Sequence, residues 1–198
     1  MSTNPDILDN PRARILEAAE VRFRQYGYNK TTMNEIANDC QMSAANLYRY
    51  FESKLDIGAA MAQGCFIDKE QLLEEVVNRT DLSATKRLEE FVLTLLRYTH
   101  GQCYDQPRIN ELVDSIIQER PALVQRKIAG ERALLEQILT AGKSTGEFDI
   151  KNIGTTTEAV HTSLVKFSVP LFMGMYPLDE FERIAKNVVA LLVNGLKK

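Results

Sequence analysis

The chain has 198 residues, of which 44% are hydrophobic and 26% are charged, which is typical of a folded globular protein and excludes a disordered or collagen-like one. Its formal net charge of −3 argues against a protein that coats nucleic acid through charge alone, and no apolar run reaches the roughly 20 residues of a transmembrane helix. Three scattered cysteines and an N-terminal segment without an apolar core favour a reduced protein without a secretory signal, so we expect a cytoplasmic location and no membrane partner.

Apolar residues recur at helical spacing along nearly the whole chain, and the alternating pattern of β-strands is missing. The sequence therefore predicts an all-α fold with about nine helices. Seven of the predicted helices span about 11–26, 32–40, 43–50, 108–118, 121–141, 153–173 and 179–196. Between the third and fourth of these, one longer helix begins at 53–54 and precedes a break at 81–83, and another follows the break and ends before Pro107.

The first three helices carry clear start and stop signals. Asn10 is a suitable N-cap for the first helix, and Gly27 is suited to a left-handed C-terminal cap. Thr32 and Glu35 have the spacing of a capping box for the second helix, and Ser43 can cap the third. Helices two and three are too short to be stable alone, so they must pack as a unit.

The segment from 31 to 54 predicts a helix-turn-helix. Ile36, Ala37, Leu47 and Phe51 have the spacing of a small shared core that the first helix would close. In this motif the second helix enters the major groove of DNA with its N-terminal residues against the base edges. Residues 11–55 contain seven Lys and Arg against five Asp and Glu, a mild positive balance on an otherwise acidic chain.

The same segment resembles the TetR-type transcriptional regulators. The resemblance rests on Tyr-Gly-Tyr at 26–28, Thr-Thr at 31–32, Ile-Ala at 36–37, and Leu-Tyr-Arg-Tyr-Phe at 47–51 followed by Ser-Lys at 53–54. Ala45 stands where the family often has Gly, and Tyr50 where it often has His. The resemblance implies an N-terminal DNA-binding domain over 9–69 and a C-terminal helical domain over 70–198 that binds a ligand and dimerises.

Ten side chains in this segment are predicted to contact an operator. Hydroxyls at a helix start suit phosphate oxygens, Asn46 can pair with adenine, and a small alanine can touch a thymine methyl. Arg49 suits either a base or a phosphate. The predicted contacts are Thr31, Thr32, Ser43, Ala44, Ala45, Asn46, Tyr48, Arg49, Tyr50 and Lys54.

Other classes of function have less support. The three aromatic residues Tyr48, Tyr50 and Phe51 can also be simple core residues, Phe51 most of all, and the chain can also be a helical interaction module without DNA binding. An enzyme would need a nucleophile beside a base, and no such grouping is visible. We predict no cofactor and no metal, because His100 and Cys103 have no second pair to complete a site.

The last two helices predict a homodimer. Each has apolar residues at helical spacing, and the first of them is apolar on two sides, which favours a four-helix bundle between two copies. The alternative is that both apolar sides are covered within one chain. The predicted interface residues are Val160, Leu164, Phe167, Leu171, Phe181, Ile184, Val188 and Leu192.

A small-molecule effector is implied by the resemblance, although a regulator without an effector is also compatible with the sequence. Few titratable groups point inward by pattern, so we expect a mainly apolar effector with His100, His161 or Tyr98 as a polar contact. Its binding would favour a spacing of the two recognition helices that does not match DNA, which releases a repressor. Each large apolar residue on the middle helices, taken alone, is more simply interpreted as a core residue than as a pocket residue. The candidate pocket residues are Phe66, Phe91, Leu95, Tyr98, Ile116, Phe167, Phe172 and Met173.

Overall fold

The structure is a computed structural model that describes residues 10–197, so the predicted domain limits at 9 and 198 lie outside it. Every regular element in this range is helical, which confirms the all-α class. The α-helices are α1 (Pro11–Tyr26), α2 (Met33–Asp39), α3 (Ala44–Tyr48), α4 (Lys54–Val77), α5 (Ala84–Cys103), α6 (Ile109–Glu119), α7 (Pro121–Ser144), α8 (Ile153–Ser163), α9 (Val165–Ser168) and α10 (Leu178–Leu196), and a 3-10 helix spans Pro170–Met175.

The prediction of one continuous helix over 153–173 is wrong, because α8, α9 and the 3-10 helix divide this stretch. Pro170 begins the 3-10 helix, and Val169 before it is extended, with φ −108° and ψ 127°. A residue that precedes proline is excluded from the helical conformation by the proline ring, and proline has no N–H to continue a helix. Pro170 was therefore the signal in the sequence that should have ended the predicted helix.

The chain forms two compact units. One contains the residues through Cys65 together with 108–124, and the other contains 66–107 and the residues from 125 onward. The single boundary predicted near residue 69 therefore misses α6, which belongs to the first unit. Helix α6 packs closely there, since a Cβ atom added at Gly58 would lie 2.4 Å from Leu112 Cδ1.

Each unit has its own apolar core. In the first unit α1 contributes Ile15, Ala19 and Phe23 to a core shared with α2, α3 and α6. Ile116 is part of this core, so its predicted place in an effector pocket of the C-terminal domain is wrong. The second unit packs α5, α7, α8, α9 and α10 around large buried side chains, among them Phe91, Leu135, Ile138, Leu139, Phe167 and Phe181.

Helix α7 contains a glycine that the second core requires. A Cβ atom at Gly142 would lie 2.2 Å from Phe148 Cδ2 and 2.9 Å from Ala84 Cβ, and both neighbours are buried. We expect Gly142→Ala to lower the free energy of unfolding by about 2 kcal/mol, because overpacking costs more than the gain in helix propensity. Urea unfolding, monitored by circular dichroism, measures this change.

Gly101→Ala in α5 is the matched control, since nothing lies within 4 Å of the added Cβ atom. This variant should be as stable as the parent protein or more stable by up to about 1 kcal/mol. Equal unfolding midpoints for the two variants would contradict the packing described at Gly142.

Candidate nucleic-acid interface

Helices α2 and α3 begin at the caps that the sequence predicts. Thr32 Oγ1 accepts a hydrogen bond from Glu35 N at 3.3 Å, and Glu35 Oε2 accepts one from Thr32 N at 2.8 Å. Ser43 Oγ accepts from Asn46 N at 3.2 Å. These bonds satisfy N–H groups that a helix start leaves without partners, which helps such short helices to form.

The turn between the two helices is tightly fixed. Gln41 has φ 53°, in the left-handed region that side chains other than glycine rarely adopt. Met42 N donates a hydrogen bond to Ala37 O at 3.0 Å, which ties the turn back to α2. The direction of α3 is therefore set by backbone bonds as well as by packing.

Helix α3 has one buried side and one exposed edge. Leu47 is fully buried and Phe51 is 3% exposed, so the interpretation of Phe51 as a core aromatic is confirmed. Tyr48 is 51% exposed and Tyr50 is 36% exposed, which rules out a core role for these two tyrosines. The residues that support α3 are thus distinct from those that face outward.

Two arginines of α1 hold the ends of α2 and α3. Arg14 Nη2 donates to Cys40 O at 2.5 Å, and Arg12 Nη1 donates to Tyr50 O at 3.0 Å. Both carbonyls lie at or just after a helix C-terminus, where a cation is favoured by the helix dipole. The Arg12 guanidinium also stacks 4.1 Å from the centre of the Phe51 ring. Sequence reasoning missed both arginines, because nothing in the local pattern shows which distant carbonyl a cation will reach.

Arg22 connects α1 to both ends of α2. It bonds Asp39 through Nη2 at 3.0 Å and lies 3.3 Å from Glu35 Oε1. The hydrogen bond from Arg22 holds the pKa of Asp39 below its ordinary value. Asp39 therefore keeps its charge, and its bond to α1, well into the acid range.

Lys54 is a structural cation in this structure. Its Nζ donates to Tyr28 O at 2.6 Å and to Thr31 O at 2.8 Å, at the junction between α1 and α2. Burial lowers the pKa of Lys54, while Glu111 and Glu35 act in the opposite direction. The prediction that Lys54 presents its charge to a DNA phosphate is not met, because backbone carbonyls bind that charge.

The other predicted contacts divide by exposure. Thr31 is 2% exposed and its hydroxyl donates to Gly27 O at 2.8 Å, so it offers DNA no donor and that prediction is wrong. Thr32 is exposed, but its hydroxyl and its N–H both bond Glu35, which a phosphate would have to displace. Of the remaining residues, Ser43, Ala45, Tyr48, Arg49 and Tyr50 are exposed, whereas Asn46 is half-buried and Ala44 packs against the core of the first unit.

The predicted effector residues are not brought together around one pocket. Apart from Ile116, four are buried in the core of the second unit, and Tyr98 and Phe172 are half-buried. Among the described residues, Phe66 lines a cavity whose other walls are the charged residues Lys69, Glu70, Lys127 and Glu131. The expectation that few titratable groups point inward is wrong, since Lys69, Glu131 and His161 are buried. The four in the core are Phe91, Leu95, Phe167 and Met173.

The predicted dimer residues fall into two groups. Leu164, Phe167 and Phe181 are buried within the chain, so they offer no surface to a partner and those three predictions are wrong. Val160 is also 3% exposed, but it lines a groove between α8 and α10, so its prediction stays open. Ile184, Val188 and Leu192 are half-buried, and Leu171 is 58% exposed. Periodicity located the apolar sides of these helices, but not which of those sides the chain itself covers.

Two short capped helices, an exposed α3 edge and a buried support behind it define a helix-turn-helix DNA-binding protein. The family model "Bacterial regulatory proteins, tetR family" matches residues 15–61, and the model "Tetracyclin repressor-like, C-terminal domain" matches residues 84–189. The chain belongs to the TetR family of DNA-binding transcriptional regulators, which are not enzymes.

Solved structures share this fold over their whole length. The TetR family regulator PfmR from Thermus thermophilus is 22% identical with a TM-score of 0.68, and the alignment covers 100% of both chains. The fatty acid degradation regulator FadR from Bacillus halodurans is 20% identical with a TM-score of 0.73, over 99% of this chain and 98% of that one.

A curated relative is similar over the DNA-binding segment alone. The HTH-type transcriptional regulator HbdR from Aromatoleum sp. (strain CIB) is 36% identical over 55 residues, which are 28% of this chain and 24% of that protein. The match therefore spans about a quarter of that relative's length. Among residues 10–197, no helix combines the length and the apolar character needed to cross a membrane.

The bonds of Lys54 predict a loss of stability on mutation. We expect Lys54→Met to lower the free energy of unfolding by about 2 kcal/mol, because two carbonyls lose a charged donor. Thermal unfolding without DNA measures this change. An unchanged unfolding temperature combined with weaker DNA binding would instead support the phosphate contact that the sequence predicts.

Proposed function

We propose that the chain is a ligand-responsive repressor that binds a palindromic operator as a dimer. The observation that carries the proposal is the exposed edge of α3, which presents Tyr48, Arg49 and Tyr50 while Leu47 is fully buried beneath. An edge that is polar, aromatic and rigidly supported suits the major groove, where base edges and phosphates lie close together. A cytoplasmic location accords with this role.

Each residue of the edge has a proposed contact. Asn46, in the first turn of α3, is placed to pair with an adenine, and Ala44 or Ala45 to touch a thymine methyl. The hydroxyls of Ser43, Tyr48 and Tyr50 donate to phosphates and fix the register of the helix on the duplex. Arg49 supplies a full positive charge at the end of α3, where it can bind either a phosphate or a guanine.

Arg49 provides the test of the DNA contact. Arg49→Ala should weaken operator binding by about tenfold or more. If the partner is a phosphate, the slope of log affinity against log salt should also fall by about one; if it is a guanine, selectivity at one base pair should fall instead. Mobility shift at several salt concentrations, on operator and mutated duplexes, measures both.

Arg183→Ala is the matched control, because Arg183 is an exposed arginine on α10, outside the unit that contains α3. It should bind operator as the parent protein does. Equal operator binding by Arg49→Ala and Arg183→Ala would contradict the proposed role of the α3 edge.

The proposed dimer uses the open side of α8 and α10. A groove of about 360 Å³ lies between these helices, lined by residues that include Ala159, Leu191 and Leu192. Leu191 is 73% exposed, which is unusual for a leucine at helical spacing from the half-buried Ile184 and Val188. Small groove residues such as Ala159 and Gly195 would let a partner helix approach closely, and the pairing of α8 and α10 with their copies gives a four-helix interface.

Leu191→Glu tests this surface. The change should convert the dimer to a monomer at micromolar concentration, because a carboxylate would have to be buried in an apolar interface. Light scattering coupled to size exclusion measures the mass. Ile67→Glu on α4 is the control, since Ile67 is also exposed, at 46%, and should remain dimeric. A dimeric Leu191→Glu variant would place the interface elsewhere.

The proposed effector response is a shift between two states of the dimer. The operator favours the state whose two recognition helices match successive major grooves, and a ligand that binds the other state better releases the DNA. The effector contacts the second unit, where His161 and Phe66 provide a polar and an apolar group.

A further inference from the structure

The second unit contains a buried cluster of charged side chains around Glu131 of α7. Lys127 Nζ lies 2.9 Å from Glu131 Oε2, Lys69 Nζ lies 3.1 Å from Oε1, and His161 Nε2 lies 3.2 Å from Oε2. Lys69, Glu131 and His161 are 4%, 3% and 8% exposed. The cluster thus joins α4, α7 and α8 through one carboxylate.

The charges in this cluster do not balance. The buried side of the cluster has two ammonium groups and one carboxylate, while the second carboxylate of the cavity wall, Glu70, is exposed to solvent, which screens its charge. Burial and the neighbouring Lys69 both lower the pKa of Lys127. Burial alone would raise the pKa of Glu131, but His161, Lys69 and Lys127 together hold it at about 2. An uncompensated buried charge is costly, so a second anion would be stabilised here.

The site has open hydrogen-bonding capacity as well as excess charge. Lys69 Nζ meets Glu131 Oε1 as an ion pair at 3.1 Å, and within the described residues that oxygen accepts no hydrogen bond. An ammonium group has three N–H donors, so Lys69 can also bond another acceptor. Thr157, one turn before His161 on the same side of α8, is 3% exposed and its hydroxyl also has no hydrogen-bond partner there. Glu131 Oε1 itself calls for a donor, so the capacity for an incoming anion lies in the N–H groups of Lys69.

A small cavity adjoins both lysines. Its volume is about 10 Å³, which is just enough to admit one water-sized group such as a single carboxylate oxygen, and its walls are Phe66, Lys69, Glu70, Lys127 and Glu131. Glu70 is exposed at the rim, with its carboxylate over Gly130, so it can swing into solvent when a ligand enters. Phe66 supplies an apolar wall beside the charged groups.

We propose that Lys69 and Lys127 form a binding site for the carboxylate of a small organic acid whose apolar part contacts Phe66. One carboxylate oxygen occupies the cavity and accepts from the two ammonium groups, and it takes over donors that Glu131 now uses. This inference rests on the proposed ligand-responsive function and names the class of effector as an organic anion, which corrects the mainly apolar molecule expected from the sequence.

Removing a positive charge from this site and removing its negative charge should change the affinity for organic acids in opposite directions. Lys69→Met should weaken the binding of octanoate and benzoate by about tenfold or more, because the charged partner is lost. Glu131→Gln should strengthen it by a similar factor, because the internal competitor for the lysines is neutralised. Calorimetric titration of the full chain without DNA, with each acid at up to millimolar concentration, measures both effects. Octanamide and benzamide are the uncharged probes.

Controls separate this site from a purely structural cluster. Lys186→Met and Glu136→Gln make the same chemical changes at exposed positions of α10 and α7 and should bind the acids as the parent does. If circular dichroism shows that Lys69→Met is unfolded, Lys127→Met is measured in its place. No binding of either acid by the parent protein, equal binding of acids and amides, or weaker binding by Glu131→Gln would overturn the proposal.

Mobility shift with the operator distinguishes failure of the site from failure of the proposed function. If the acids bind through Lys69 yet never release DNA, the site stands and the effector response of the proposed function fails. If the amides release DNA as well as the acids do, and Lys69→Met responds equally, the effector response stands and the carboxylate site fails.

Discussion

The DNA-binding unit depends on holding two helices that are too short to exist alone. Helices α2 and α3 have seven and five residues, and at such lengths the cost of nucleation exceeds what backbone hydrogen bonds return. Three kinds of interaction compensate for this. Side-chain caps satisfy the first N–H groups, Leu47 and Ile36 are fully buried against α1, and arginines of α1 bind carbonyls at the far ends. The exposed edge of α3 keeps its direction because every other side of the helix is in use.

This support determines which cations remain for DNA. The sequence shows a positive balance over residues 11–55, but Arg12, Arg14 and Lys54 donate to backbone carbonyls and Arg22 donates to Asp39. Charge counted along a sequence therefore overstates the charge that faces a ligand. Lys30 and Arg49 are exposed cations of this segment, so under the proposed function affinity for the operator draws on these two charges together with hydroxyls and tyrosine rings.

Local signals in the sequence predicted the helices well. Features that depend on contacts between residues far apart in the chain were not predicted. Caps such as Thr32 and Ser43 act over three or four residues, so their spacing can be read from the chain, and both were confirmed. The burial of Leu164 and Phe181, the place of α6 in the first unit and the carbonyl partners of Lys54 depend on residues far apart in sequence. Periodicity shows that a helix has an apolar side, but it carries no information on whether that side meets the same chain or another one.

The cluster around Glu131 also brings together residues that are far apart in the sequence. Through it, the positions of three helices depend on one buried negative charge. Lys69, Lys127 and His161 come from three helices and share one carboxylate, so the position of each helix depends on where that negative charge lies. A ligand carboxylate that competes for the lysines changes the forces on α4, α7 and α8 together, because at short range in a buried site electrostatic interactions are weakly screened. Helix α4 also carries Lys54, whose ammonium holds the carbonyls of Tyr28 and Thr31 beside the start of α2. Helix α4 thus bears both Lys69 of the proposed anion site and Lys54, whose bonds support the recognition motif.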